Sequence, residues 1–212
     1  MDNPLSPGFY TSDELRGFGF AYVGDNVRVA RNCVIVYPQN VAIGDHSRID
    51  AFTGIFATSG RLRIGRRVHI GGQCHFAVAA DLAFEDYSGA SQGVRIYTGS
   101  DDYSGGALIG PCVPEEYRNC SIAPVTVGRF AVLGASSVVL PGVMIGEGAT
   151  VGALSLVNRD LEPWGTYAGQ PAKRYGWRPR LPVAYAAEID ARDARIESES
   201  KSEGFVSTNH NK

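Results

Sequence analysis

Net charge is nearly absent from this sequence: 20 Lys and Arg face 22 Asp and Glu, a formal charge of −2. No broad electrostatic field draws such a chain to nucleic acid or to an anionic membrane, so neither is expected as a partner. Long apolar runs are missing too, and nothing approaches the roughly 18 residues of a membrane span. The opening MDNPLSPGFY carries neither a basic cluster nor a signal-like apolar stretch, which predicts a cytoplasmic protein. The four cysteines, at 33, 74, 112 and 120, form no C-x-x-C pair, which excludes a zinc ribbon or a thioredoxin-type redox motif. In a reducing compartment a disulfide framework is not expected either.

What the chain does have is glycine, 26 residues of it, and the glycines keep time. Hexads starting at Val127, Leu133, Val139, Ile145, Val151 and Val157 read VGRFAV, LGASSV, VLPGVM, IGEGAT, VGALSL and VNRDLE. The same phase runs backwards through Val23, Val29, Ile35; Ile43, Ile49, Ile55; Ile64, Ile70, Phe76; and Phe84, Ala90, Ile96. These group as six triplets of hexads, with two or three extra residues between the early triplets.

The residue four after each aliphatic is small in Val27, Cys33, Thr53, Cys74, Ala80, Ser88, Ser100, Ala131, Ser137, Ala149 and Ser155. One large and one small inward side chain per six residues describe a short strand and a corner, repeated three times per coil and stacked on neighbouring coils. Cys33 and Cys74 then read as packing residues. With this pattern the sequence resembles the hexapeptide-repeat acyltransferases. The resemblance implies an all-β fold, a left-handed parallel β-helix of about six coils over residues 21–175, where generic crossover rules would give the opposite hand. Residues 1–20 are expected to cap it, with Thr11 or Ser12 opening a short helix that plugs the open end. Residues 176–212 read as an arm with a helix near 184–196 followed by a disordered tail.

The beat is broken once. After VRIYTGSDDYSGG, residues 94–106, it does not resume until Val127, which expels a polar loop, 101–124, at one corner. The loop opens with Asp101, Asp102, Tyr103 and Ser104, functional groups and not mere spacers. Sugar-acetylating relatives of the resembled family carry a motif similar to I-Y-T-A-T-H here, whose histidine is the general base. This chain matches with Ile96, Tyr97, Thr98, Gly99 and Ser100 but has Asp101 in the last place. The resemblance therefore implies Tyr97, Asp102 and Tyr103 as acceptor-binding residues and Asp101 as a catalytic one. His69 and His75 are the alternative bases, each at the last place of a hexad and so expected at a corner. Corners of one subunit lie about 15 Å apart, too far for either histidine to meet Asp101. A homotrimer, the habit of the resembled family, would join them across a subunit boundary.

The last coils look smooth, with Gly134, Ala135, Gly152 and Ala153 offering a surface for a narrow pantetheine arm. The ending GQPAKR resembles the family's G-x-P-A-K/R and assigns Pro171, Lys173 and Arg174 to the donor, with Trp164 either covering it or capping the last coil. The whole reads as an acyltransferase moving acetyl from acetyl-CoA, without a metal, to an amino or hydroxyl group of a sugar, nucleotide-linked and bound for a surface glycan. An aspartate in place of histidine tilts the reading toward an amine, which needs a weaker base than a hydroxyl. Two rivals are a non-catalytic β-helix scaffold and a zinc hydratase similar to γ-carbonic anhydrases. The second needs three converging imidazoles, and the helix body holds only His46, His69 and His75.

Overall fold

The structure, a computed structural model, describes residues 5–207, the side chains of residues 197 and 199–207 excepted. Hexads become strands of two or three residues that wind into a three-sided parallel β-helix. The first face stacks Tyr22–Val23, Val41–Ile43, Leu62–Ile64, Leu82–Phe84, Val125–Val127 and Met144–Ile145. The second stacks Arg28–Ala30, Arg48–Ile49, His69–Ile70, Gly89–Ala90, Val132–Leu133, Thr150–Val151 and Gly165–Ala168. The third stacks Val34–Val36, Gly54–Phe56, His75–Ala77, Arg95–Tyr97, Val138–Val139 and Leu156–Val157. Six coils are complete, and Leu161, Tyr167 and Ala172 carry a seventh around to the third face.

Register puts like on like. Ile49, Ile70, Ala90, Leu133, Val151 and Tyr167 form one inward column through successive parallel pairs. Phe76 and Phe84 meet inside at 5.4 Å, both fully buried. Each large inward side chain contributes on the order of 1.5–3 kcal/mol by leaving water. Most small inward slots are filled as expected, among them Cys74, Thr53, Ser137, Ala149 and Ser155. Burial pushes the Cys74 thiol up to about 11, as befits a packing residue. Ala80 and Ser100 differ: both are only half-buried. At the corner where residues are inserted the strand runs on by two, so Ala57, Val78 and Thr98 point inward in their place.

The first face meets the second at residues with positive φ, Asn26, His46, Arg67, Tyr87, Phe130 and Trp164, a column interrupted by Gly148. Trp164 is buried, and a Cβ on Gly148 would lie 2.4 Å from its ring.

Thr11 caps helix α1, Ser12–Arg16, through a capping box with Glu14. Leu15 of that helix is buried with the residues of the first coil. The β-helix unit ends at Arg178 and a second unit begins at Pro179. It carries helix α2, Leu181–Ser207, longer at both ends than the 184–196 expected. The absence of an apolar period argued for disorder beyond 196, but Glu197, Glu199, Lys201 and Glu203 favour helix without one. Residues 208–212, His210 among them, lie outside the described residues.

Candidate active site

The pause in the hexads begins one step earlier than the sequence suggests. Thr98 is fully buried, and its hydroxyl accepts from the Ala80 N–H at 2.8 Å and donates to the Ala80 carbonyl at 3.0 Å. The Thr98 carbonyl then accepts from Ala123 N–H, so this residue marks both departure and return of the loop. Between them an antiparallel ribbon, Gly99–Asp101 against Cys120–Ile122, leaves the prism with Asp101 opposite Cys120.

On that ribbon Asp101 is already well supplied with donors. Arg118 Nη2, the Gly110 N–H and the Cys120 thiol each lie 3.2 Å from its carboxylate. The thiol and then the guanidinium hold its carboxyl below the usual carboxylate range, so it is ionised at neutral pH. Asp102 accepts from the Ser104 N–H at 2.7 Å and is likewise held low, by Ser104 first. Tyr103 is 85% exposed at the tip.

Both histidines sit on flat faces and not at corners, because each begins a strand instead of ending a turn. On the second face His69 lies in an outward row with Arg48, Gly89 and Val132. Its Nε2 is 2.8 Å from Asp50 Oδ2, and Arg48 Nε donates to Asp50 Oδ1 at 2.5 Å. Burial alone would raise the Asp50 carboxyl, but the His69 and Arg48 hydrogen bonds outweigh it and leave it lowered. An ionised Asp50 can only accept, so Nε2 carries the hydrogen and Nδ1 of a neutral His69 keeps its lone pair. Gly89 has no side chain beside it, and the resulting groove of about 310 Å³ is shared by His69, Tyr87, Ser91 and Val132.

His75 belongs to the third face, its ring 5.0 Å from Phe56 and 6.0 Å from Tyr97. Burial and then the nearby Arg95 lower its pKa, so it is neutral at neutral pH. His69, His75 and Asp101 are each partnered on a different part of the subunit, and the structure does not bring the three together. Asp50 and Ser91 were not singled out from the sequence. Counting one coil back from His69 reaches its register partner Arg48, and Asp50 lies two residues further on.

In the last coils Gly134 allows stacking: a Cβ there would lie 2.5 Å from the Ala153 nitrogen. Gly152 and Ala135 are half-buried beside an exposed Ala153. Trp164 stacks toward Phe130 at 6.1 Å and is buried, so it caps the corner column instead of offering a face to a cofactor. Pro171 is exposed in the turn before the returning strand Lys173–Trp177, on which Lys173 and Arg174 are exposed. Arg174 pairs with Glu162 and lies 4.4 Å over the Trp177 ring, whereas Lys173 makes no ion pair among the described residues. Nor, among the described residues, do three His, Cys, Asp or Glu side chains gather as a metal site. No described helix is long and apolar enough to cross a membrane.

Residues 124–153 match the family described as hexapeptide repeat of succinyl-transferase. A dTDP-4-amino-4,6-dideoxy-D-glucose acyltransferase of Escherichia coli is 35% identical over 160 residues, 76% of this chain and 83% of that protein. AntD, an N-acyltransferase from Bacillus cereus solved with dTDP and 3-hydroxybutyryl-CoA, is 33% identical. It superposes with a TM-score of 0.84 over 88% of this chain and 98% of its own. A further AntD structure holds dTDP-4-amino-4,6-dideoxyglucose and coenzyme A, with 32% identity and a TM-score of 0.81 over 87% of this chain and 98% of its own. Variants of AntD have been solved at one aspartate and at a serine ten residues before it.

Proposed function

The chain belongs to the hexapeptide-repeat sugar acyltransferases, left-handed parallel β-helices, and from that premise we propose that it acylates the amine of a nucleotide-linked deoxy amino sugar. The donor is an acyl-CoA, acetyl-CoA in this reading, and the product serves a surface glycan made on the cytoplasmic side. The observation that carries the proposal is a spacing. Ser91 and Asp101 are the one place in this chain where an aspartate follows a serine by ten residues, the order and separation of the two positions varied in AntD. Asp101 was singled out by its place in the broken hexad, and Ser91 shares the groove of His69.

The chemistry is set by these groups. An ionised Asp101 attracts and orients the acceptor ammonium, which must lose a proton before it attacks the thioester carbonyl. His69, with Asp50 holding Nε2–H, presents Nδ1 to take that proton, and Asp50 steadies the imidazolium that forms. Collapse of the tetrahedral adduct gives the amide and the free thiol of coenzyme A. Ser91 and His69 lie on the second face and Asp101 on a loop beyond the third, so the site is shared between neighbouring subunits of a homotrimer. Tyr97, Asp102 and Tyr103 complete the acceptor side. Gly134, Ala135, Gly152, Ala153, Pro171, Lys173 and Arg174 form the donor side.

The test is thiol release from acetyl-CoA and 3-hydroxybutyryl-CoA against nucleotide-linked amino and hydroxy sugars. Turnover with a dTDP-linked 4-amino sugar is expected. Turnover only with hydroxy sugars, or undiminished in Asp101→Asn, would overturn the assignment.

A further inference from the structure

Asp101 does not meet its acceptor as a bare carboxylate. Arg118 Nη2 lies 3.2 Å from its Oδ1 and 3.3 Å from the Cys120 sulfur, and Asp101 is the one acid that Arg118 pairs with among the described residues. The two side chains are 25% and 26% exposed, so solvent screens the pair only in part. Oδ1 also accepts from the Cys120 thiol, and Oδ2 accepts from the Gly110 N–H, each at 3.2 Å. A carboxylate has about four places for donors, so one remains, on Oδ2. Asp102, the next residue, has its own carboxylate on the Ser104 N–H at 2.7 Å and the Asn119 side-chain amide at 3.5 Å. The backbone fixes Arg118 in place, its N–H on the Glu115 carbonyl and a bridge joining it to Leu108. Holding it there costs stability, because its Nε is enclosed without an acceptor, and an enclosed orphan donor asks for a reason outside the fold.

These charges decide which form of an amine the site favours. Amines titrate at about 8 to 10, so at neutral pH they arrive as ammonium, which has no lone pair to attack a thioester. A lone carboxylate would bind that ammonium tightly and hold its third proton. Asp101 and Arg118 are neutral as a pair: Oδ2 still accepts one N–H, while the guanidinium repels a second positive charge. We propose that Arg118 is a positioning residue that makes the site favour the free amine over the ammonium, offsetting the Asp101 charge while leaving Oδ2 to orient the nitrogen. The ammonium gives its proton to His69 Nδ1 and keeps the electron pair that forms the C–N bond. The inference rests on the amine-transfer reading above and adds to it what supplies the free amine.

The test compares full-length wild type with Arg118→Gln and Arg118→Met, both uncharged, and with Arg118→Lys. In the uncharged variants the Cys120 thiol and the Gly110 N–H still hold Asp101, and the thiol is the first of the causes that keep it ionised. Calorimetry at pH 7 reads binding of dTDP-linked 4-amino-4,6-dideoxyglucose against its 4-hydroxy counterpart. Wild type is expected to bind the two within about threefold. Each uncharged variant should prefer the amino sugar about tenfold more than wild type does, the worth of one pH unit of added hold on the ammonium. Thiol release from acetyl-CoA at saturating amino sugar should fall about tenfold, with the acid limb of kcat about one unit higher and the acceptor KM no higher. Arg118→Lys keeps the charge and should return kcat and the pH profile to within about threefold of wild type. An acceptor KM that rises while the pH profile stays put would mark a merely structural residue and overturn the proposal, as would an unchanged amino-sugar preference in both uncharged variants. A protein that shows the shift in preference yet acylates no amine would support the role of Arg118 and contradict the reaction. One that acylates the amino sugar with the same kcat, KM and pH profile in wild type and the uncharged variants would do the reverse.

Discussion

Replacing Thr98 by valine tests how the fold hands its chain to the active-site loop. The two side chains have nearly the same shape, so the buried volume at the corner is kept and only the hydroxyl is lost. That hydroxyl is the acceptor for the Ala80 N–H at 2.8 Å, and the donor to the Ala80 carbonyl at 3.0 Å. An amide left without an acceptor costs about 1–3 kcal/mol. For a chain of this size, melting shifts by about 2–4 °C per kcal/mol, so a fall of roughly 2–12 °C is expected. Thr98→Ser keeps the hydroxyl and removes one buried methyl, about 0.5–1.5 kcal/mol by analogy with Ile→Val, and should melt above the valine variant. Because the Thr98 carbonyl also receives the returning Ala123 N–H, loosening this corner lets the ribbon of Asp101 move. The acceptor KM should therefore rise in the valine variant and not in the serine one. Thermal unfolding by circular dichroism and steady-state kinetics give both numbers. A valine variant as stable as wild type, or a serine variant that melts below it, would refute the reasoning.

Three other outcomes rest on the same geometry. Lys173→Ala should raise the acyl-CoA KM by about 5- to 20-fold with the acceptor KM unchanged, and adding Arg174→Ala should add less, since Glu162 already shares that charge; an unchanged donor KM removes both from the site. Gly148→Ala places a Cβ 2.4 Å from the Trp164 ring at φ of 67°, so melting should fall by an amount worth about 2–4 kcal/mol and tryptophan emission should shift, whereas wild-type melting would contradict the corner column. His75 binds its proton less readily folded than unfolded, so stability should fall as pH drops below about 6.5 and level off below its lowered pKa. Arg95→Met should move that pKa upward in a proton NMR titration, with no movement refuting the charge as a cause.

The hexads were legible because the prism repeats one physical requirement, an inward aliphatic at every rung, eighteen times over. Ile96 or Val139 could be placed inside from spacing alone. The pattern failed where the corner changed length: Ala80 and Ser100 were read as inward because a fixed count of four ignores the two extra strand residues that bring Val78 and Thr98 inside. His69 was legible as a candidate base, but its partner was not. Asp50 lies one coil earlier, and coils with two or three inserted residues make that offset irregular. Asp101 was legible as a gap in a motif. Its bonds to Arg118, Gly110 and Cys120 depend on the register of a ribbon that no periodicity encodes. Trp164 divided evenly between cap and cofactor cover in the sequence, and only the bare Gly148 below it, making room for the ring, decides for the cap.

The most direct measurement of the central claim is the chemical nature of the product. The protein is incubated with acetyl-CoA and a dTDP-linked 4-amino-4,6-dideoxy sugar, and the product is analysed by mass spectrometry before and after neutral hydroxylamine, which cleaves esters and spares amides. Transfer to the amine predicts a product heavier by one acetyl group that survives hydroxylamine, formed in parallel with free thiol. An acetyl group lost to hydroxylamine, or thiol released with no acylated sugar, would contradict it.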